Sequence, residues 1–279
     1  MYKLVAFDLD ETLFNDEHKI DQKNKEAIAK ARDAGIKLVP CSGRGPGFLG
    51  TLYEDLDLCK DHEYSILGNG AIVIENSTNK IISCTPLPFD KAKELFEFGL
   101  KKNVCVEIFT TDLIYFYHAT EESKERVKLF GNNMVYMENE EFDFLKDKTI
   151  IKVLFEKVGG YDYFHSFEDE LKPIIDNQVA TSFSSNRFYE LNAFGVHKGI
   201  GLLALANHLG IKLEETIGIG DNYNDVGLIK DAGLGVAVAN AIDEIKELAD
   251  VVTKATNNES AIAEVIDTYI FNEGNSDVR

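Results

Sequence analysis

The chain has little that would tie it to an oxidising compartment, a polyanion or a bilayer. Its four cysteines, Cys41, Cys59, Cys84 and Cys105, lie scattered through 279 residues. None pair at the short spacing of metal ligands and most fall in apolar runs, which predicts buried free thiols in a reducing compartment. Basic residues are scarce, with 29 Lys and Arg against 48 Asp and Glu and a net charge of −19. The Lys and Arg clusters needed to bind a phosphate backbone or an anionic membrane surface are missing, so neither nucleic acid nor membrane is expected as a partner. Divalent cations are favoured instead. No signal-peptide pattern precedes Tyr2 and no apolar run is long enough to span a bilayer, which predicts a cytoplasmic protein. Internal repeats and low-complexity segments are absent too.

What remains is ordinary soluble composition, 44% apolar and 28% charged, with enough apolar residues for a sizeable core. Leu4, Val5, Ala6 and Phe7 form an unbroken apolar run, the pattern of a strand covered on both faces in a parallel sheet. Asp8 and Asp10 stand where it stops. The same triplet recurs as Asp55, Leu56 and Asp57 with no buried strand before it, and reads as solvated. Asp21 can cap a helix whose apolar face is Ala27, Ile28, Ala31 and Ala34, and Gly35 ends it. Residues 36–41 are a second buried strand, so the short links imply a right-handed parallel crossover. Ser42, Gly43 and Arg44 then emerge at the same sheet end as Asp8. Residues 64–67 make a third strand, closed by Gly68, Asn69 and Gly70, and 71–75 with 80–84 read as a hairpin.

From Pro86 the pattern becomes α+β. Helices are expected over 90–102, 121–130 and 161–175, and strands over 104–110, 113–118, 150–155, 179–183 and 188–191, with the first two antiparallel. After Gly195 the alternating parallel-sheet pattern resumes. It gives a helix over 197–209 closed by Gly210, a strand over 216–219, a helix running to Ala232, a strand over 235–238, a helix over 242–249, a strand stub at Val251 and Val252, and a last helix over 260–270. The tail from Asn272 is polar and expected to fray. The fold class is thus α/β, with a Rossmann-like parallel-sheet core domain (1–84 and 195–279) and an inserted α+β cap domain (85–194).

Four elements fall at strand ends or helix starts: Asp8 with Asp10, Ser42 with Gly43, Lys198, and Asp221 with Asp225. Together they supply what phosphoryl transfer needs, a nucleophile, oxygen ligands for a divalent metal, donors around the phosphoryl oxygens and an acid for the leaving group. Each also has a plain structural explanation. Ser42 can cap a helix and Gly43 serve a turn, Lys198 can be one more solvated lysine, and Asp221 and Asp225 can favour the positive end of a helix. Asn240 reads as a cap for the helix after it, and Arg44 as structural or as a contact to the cap domain.

The ordered set resembles the haloacid dehalogenase (HAD) superfamily, specifically its Cof-type, sugar-phosphatase-like hydrolases with a large α/β cap. Asp8-Leu9-Asp10-Glu11-Thr12 is similar to that family's first motif, Ser42-Gly43-Arg44 to its second, Lys198-Gly199 to its third and Gly220-Asp221-Asn222-Tyr223-Asn224-Asp225 to its fourth. The resemblance spans nearly the whole chain and implies a phosphoric monoester hydrolase. Asp8 would attack phosphorus to form an aspartyl-phosphate, and Asp10 would protonate the leaving alcohol and then deprotonate water. Mg2+ would sit on Asp8, Asp221 and the backbone carbonyl of Asp10, with Asp225 as further ligand or supporting partner. Ser42, the Gly43 amide, Asn224 and Lys198 would hold the phosphoryl oxygens of a small phosphorylated metabolite, a sugar phosphate or phosphorylated cofactor.

The chain departs from the family at Glu11, where Gly is frequent and a third carboxylate now stands near the site. Leu228 replaces a frequent Met, and Glu259-Ser260 a frequent Asp-Gly. In the cap, Tyr115, Tyr117, His118, Arg187 and Tyr189 could face inward, though packing or solvent is the ordinary fate of each. A phosphomutase shares the same motifs. A phospho-acceptor signalling domain is disfavoured by the large insertion and the paired aspartates, and a silent metabolite sensor by the complete catalytic set.

Overall fold

The computed structural model describes residues 1–128 and 133–272. The chain opens with β1 (Leu4–Asp8), α1 (Gln22–Asp33), β2 (Lys37–Cys41), α2 (Leu52–Asp55), β3 (Tyr64–Leu67), β4 (Ile72–Glu75) and β5 (Lys80–Cys84). It continues through α3 (Phe89–Lys101), β6 (Cys105–Thr110), β7 (Ile114–Tyr117), α4 (Glu121–Val127), β8 (Met134–Tyr136), β9 (Ile150–Glu156), α5 (Tyr161–His165), α6 (Glu168–Ile175), β10 (Val179–Ser184) and β11 (Phe188–Ala193). It closes with α7 (Lys198–Leu209), β12 (Thr216–Gly220), α8 (Val226–Asp231), β13 (Leu234–Ala237), α9 (Asp243–Leu248), β14 (Val251–Val252) and α10 (Ala261–Tyr269).

Among the described residues the strands form two sheets. The first has the order β14-β13-β12-β1-β2-β3-β4-β5, parallel from β14 to β3 and antiparallel beyond. The second has the order β10-β11-β9-β6-β7-β8, antiparallel except for the parallel pair of β7 and β8, and all its strands fall between β5 and β12 in the chain. Side chains along β1 alternate between two cores, as the two-residue period of a strand requires. Val5 and Phe7 pack with Ile28 of α1 and Ile262 of α10, while Leu4 and Ala6 pack with Leu202 and Leu205 of α7. Both faces are covered, which is why the run is apolar throughout. From β1 the chain builds outward through β2 on one side and through β12 on the other. That reversal opens a crevice at the carboxyl ends of β1 and β12, where open α/β sheets bind ligands.

Several expectations are revised. The single helix over 161–175 is two, α5 and α6, because the Ser166 hydroxyl donates back to the Tyr163 carbonyl at 2.6 Å and competes with the helical ladder. Asp21 occupies the position before α1, yet its side chain does not cap; it accepts instead from Asn15 and Ser260, both at 3.2 Å. Cys59 is exposed, whereas Cys41 and Cys105 are buried and Cys84 is half-buried. Strand β8 and helix α2 carried no clear periodicity and were not anticipated. Of the helix expected over 121–130, residues 129 and 130 lie outside the described residues, as does the tail from 273. No helix among the described residues is long and apolar enough to cross a membrane.

Candidate active site

Asp8 is the last residue of β1 and is buried. Phe7 pairs with Ile219, so one step further Asp8 lies level with Gly220, just before Asp221 leaves β12. Lys198, the first residue of α7, reaches this point with no exposed surface. Its ammonium donates to Asp8 Oδ1 and, at 2.6 Å, to Asp225 Oδ1. The other Asp225 oxygen accepts from the backbone amides of Asp221 at 3.0 Å and Asn222 at 3.2 Å, closing the turn after β12. Gly220 is required there, because a Cβ on it would run into the Asp225 carboxylate. Asp221 Oδ1 accepts from the Thr12 hydroxyl at 2.6 Å.

Asp8, Asp221 and Asp225 therefore present carboxylate oxygens within 4.8 Å of one another. Burial pushes Asp8 up to about 8; the Lys198 ammonium opposes this, and the Asp225 and Asp10 carboxylates add to it. Burial, then the charges of Asp225 and Asp8, push Asp221 up to about 9, while the Thr12 hydroxyl and Lys198 oppose. Three buried carboxylates with one ammonium leave the group short of positive charge. An all-oxygen donor set with that deficit fits a hard divalent cation such as Mg2+.

The other anticipated residues sit around this cluster. The Asp10 side chain is exposed and takes Arg44 Nη2 at 2.7 Å, so its carboxylate stands at the mouth of the cluster. Leu9, between the two aspartates, is buried in the core. Ser42 is buried, its carbonyl accepts from Asn69 N at 3.1 Å and its Oγ accepts from Arg44 N at 3.1 Å, so it shapes a turn and caps no helix. The Gly43 amide donates to no acceptor among the described residues. Asn224 is half-buried and does not join the Lys198 network. It lines an adjoining cleft of about 370 Å3 with Asn69, Thr181, Ser182, Asn192 and Tyr223.

Asn240 does not cap α9; its side chain donates to the Glu11 carbonyl at 2.7 Å and accepts from Asn257 N at 2.8 Å. Glu11 itself has φ of 62°, the left-handed conformation in which glycine is unstrained, and its side chain is exposed. The cap tyrosines Tyr115, Tyr117 and Tyr189 are core residues, His118 pairs with Glu140 at 2.9 Å, and Arg187 pairs with Glu156. None of these five reaches the Asp8 cluster.

Four residues near the site were not anticipated. Lys152 and Glu190, both buried on the second sheet, form an ion pair, and Lys152 Nζ also donates to the Gly43 carbonyl at 2.5 Å. Asn69 donates to Glu190 at 2.7 Å, and Asn192 donates to the Gly68 carbonyl at 2.9 Å. The available signal was a lysine inside the apolar run 150–155 and a glutamate among the apolar residues of β11.

A family model for haloacid dehalogenase-like hydrolases matches residues 5–266. The chain belongs to this family. It is 31% identical over 294 residues to the Bacillus subtilis protein YwtE, named a 5-amino-6-(5-phospho-D-ribitylamino)uracil phosphatase, covering 96% of this chain and 98% of YwtE. Among solved structures, a haloacid dehalogenase-like hydrolase from Bacteroides thetaiotaomicron is 30% identical with a TM-score of 0.82, covering 96% of this chain and 99% of the other. The HAD subclass IIB sugar phosphatase BT4131 is 27% identical, also at a TM-score of 0.82, with 97% and 99% covered. This hydrolase is of the Cof type, with a Rossmann-like core and a cap, and is a phosphoric monoester hydrolase.

Proposed function

We propose that this hydrolase is a Mg2+-dependent phosphatase of small phosphorylated metabolites and that it works through an aspartyl-phosphate on Asp8. The observation that carries the reading is the group of three buried carboxylates, Asp8, Asp221 and Asp225, at the β1 and β12 ends with a single ammonium, Lys198, paired to Asp8 and Asp225. Asp8, Asp221 and the Asp10 carbonyl would hold the metal. Asp225, both of whose oxygens are engaged, would act behind them by fixing Lys198 and the Asp221 turn. A bound divalent cation supplies the positive charge that lets an anionic nucleophile meet an anionic phosphoryl group.

In the first half-reaction an Asp8 oxygen bonds to phosphorus as the bond from phosphorus to the alcohol oxygen breaks, and that oxygen takes a proton from Asp10. In the second, Asp10 accepts a proton from water, the water oxygen bonds to phosphorus, and the Asp8 carboxylate is released with phosphate. Asp10 suits both steps because it stands at the mouth, within reach of leaving group and water. The Ser42 hydroxyl, Gly43 amide, Asn224 and Lys198 hold the phosphoryl oxygens, with Lys198 poised between Asp8 and Asp225 to meet the charge that develops.

We assign residues 1–84 and 195–279 to the core domain and 85–194 to the cap, in line with the second sheet falling between β5 and β12. The names of BT4131 and YwtE, a sugar phosphatase and a phosphatase of a phosphorylated ribityl compound, support a sugar phosphate or phosphorylated cofactor as substrate. The four free cysteines support a cytoplasmic setting. The test is phosphate release across a panel of phosphomonoesters with Mg2+ and with EDTA, using wild type and Asp8→Asn. We expect Mg2+-dependent release that Asp8→Asn abolishes while the chain stays folded. An active Asp8→Asn protein would refute the mechanism, and release only with a sugar bisphosphate present would indicate a phosphomutase.

A further inference from the structure

We infer that Lys152 and Glu190 are positioning residues that aim the Ser42 hydroxyl at the phosphoryl group, acting through the peptide between Gly43 and Arg44. The inference rests on the reading of Ser42 as phosphoryl-binding. Lys152 pairs with Asn192, and Glu190 with Leu154, so the lysine and glutamate share one face of the second sheet. That face lies against the turn after β2. Lys152 Nζ donates to the Gly43 carbonyl at 2.5 Å, and the amide of the same peptide, Arg44 N, donates to Ser42 Oγ at 3.1 Å. The peptide is thus held at both ends. Ser42 Oγ accepts at one lone pair and donates to no acceptor among the described residues, which leaves its proton for a ligand oxygen.

Glu190 in turn fixes Lys152. Its carboxylate takes Lys152, Asn69 Nδ2 at 2.7 Å and Ser184 Oγ at 2.5 Å, and Lys152 also lies 4.3 Å over the Phe109 ring. Both charged side chains are nearly inaccessible, at 2% for Lys152 and 3% for Glu190. A buried ion pair of this kind adds little stability over an apolar pair of equal volume, so holding two sheets together does not account for it. Space is tight as well, since a Cβ on Gly43 would lie 2.9 Å from Asn69 Oδ1 and 3.1 Å from Glu190 Oε2. The turn is bonded to β3 and to residues 68 and 69 through its own backbone, and the second sheet adds the Lys152 bond to the Gly43 carbonyl, so the pair couples the seating of that sheet to the readiness of the phosphoryl site.

A double-mutant cycle separates positioning from simple support. The probes are p-nitrophenyl phosphate turnover with Mg2+ and competitive inhibition by inorganic phosphate, measured for wild type, Ser42→Ala, Lys152→Met and the combination. Ser42→Ala and Lys152→Met are each expected to lower kcat/KM and weaken phosphate inhibition by about 10-fold, the size of one hydrogen bond to a charged group. Because both act through one hydroxyl, the combination should be no worse than Ser42→Ala alone. Additive losses of roughly 100-fold would overturn the inference, as would an unaffected Lys152→Met beside an impaired Ser42→Ala. An unaffected Ser42→Ala would overturn the reading of Ser42 itself and the inference with it. If Lys152→Met fails to fold because Glu190 is left unpaired, Lys152→Met/Glu190→Gln replaces it in the cycle with the same expectations, since it strands no charge.

Discussion

Among the described residues two buried groups of carboxylates lie close enough to hold a cation, and they are balanced differently. At the end of β1, Asp8 and Asp225 share Lys198, and Asp221 beside them takes the Thr12 hydroxyl. On the second sheet, Glu107 and Glu156 stand beside Cys105 but face two guanidiniums: Arg126 contacts both carboxylates and Arg187 contacts Glu156. Burial pushes Glu107 up to about 8 against the pull of Arg126, whereas Glu156, despite burial, is held low by Arg126, Ser123 and Arg187. The second group carries its own counter-charge and is a structural knot. The first, with its three carboxylates ionised, is two positive charges short, at the sheet position where ligands bind. Closeness of carboxylates therefore does not identify a metal site; an unmet charge does.

The comparison breaks most directly through the knot. Arg126→Met should cost about 3 kcal/mol of stability, because it removes the guanidinium that bridges the buried Glu107 and Glu156 carboxyls, and Mg2+ should not restore the loss. Chemical denaturation with and without Mg2+ reads this, and recovery by Mg2+ would show that the second group also takes a cation. At the first group, Lys198→Ala should lower kcat/KM by about 10²-fold, the usual loss when one donor to a transferring group is removed. Unchanged kinetics would show that Lys198 serves folding alone. The smallest effect is expected at Glu11, whose left-handed backbone carries strain. Glu11→Gly should raise stability by no more than about 1 kcal/mol with kinetics unchanged, and a marked kinetic change would place the Glu11 side chain in the reaction.

How much the sequence discloses follows from how local each feature is. The strand of Leu4 to Phe7 and its flanking aspartates are one contiguous string, as is the turn Gly220 to Asp225, so pattern alone locates them. The convergence of Lys198 on Asp8 spans 190 positions, and only the order of motifs shared with a family makes it readable. Where side chains find partners across the fold, local reasoning fails. Asn240 and Asp21 lie just before helices, as expected for caps, yet Asn240 bonds to Glu11 and Asn257 and Asp21 to Asn15 and Ser260. Lys152 and Glu190 are 38 residues apart and meet only because β9 pairs with β11. Glu11 shows the reverse case, in which an unexplained carboxylate turns out to be exposed and the special feature of the position is its backbone.

Completion of the Asp8 group by a divalent cation is tested most directly by thermal melting as a function of pH. Without metal, Asp8 and Asp221 keep their protons to about 8 and about 9, against an ordinary value of 3.8. Acids raised in the folded state contribute stability that is complete below the unfolded value and lost as pH rises through the folded one. The metal-free protein should therefore lose stability progressively between about pH 4 and about pH 9. Mg2+ binds the deprotonated carboxylates, so the rise in Tm that it produces should grow over the same interval and be lost in Asp221→Asn. A Tm that Mg2+ leaves unchanged throughout, or raises equally in Asp221→Asn, would contradict the account.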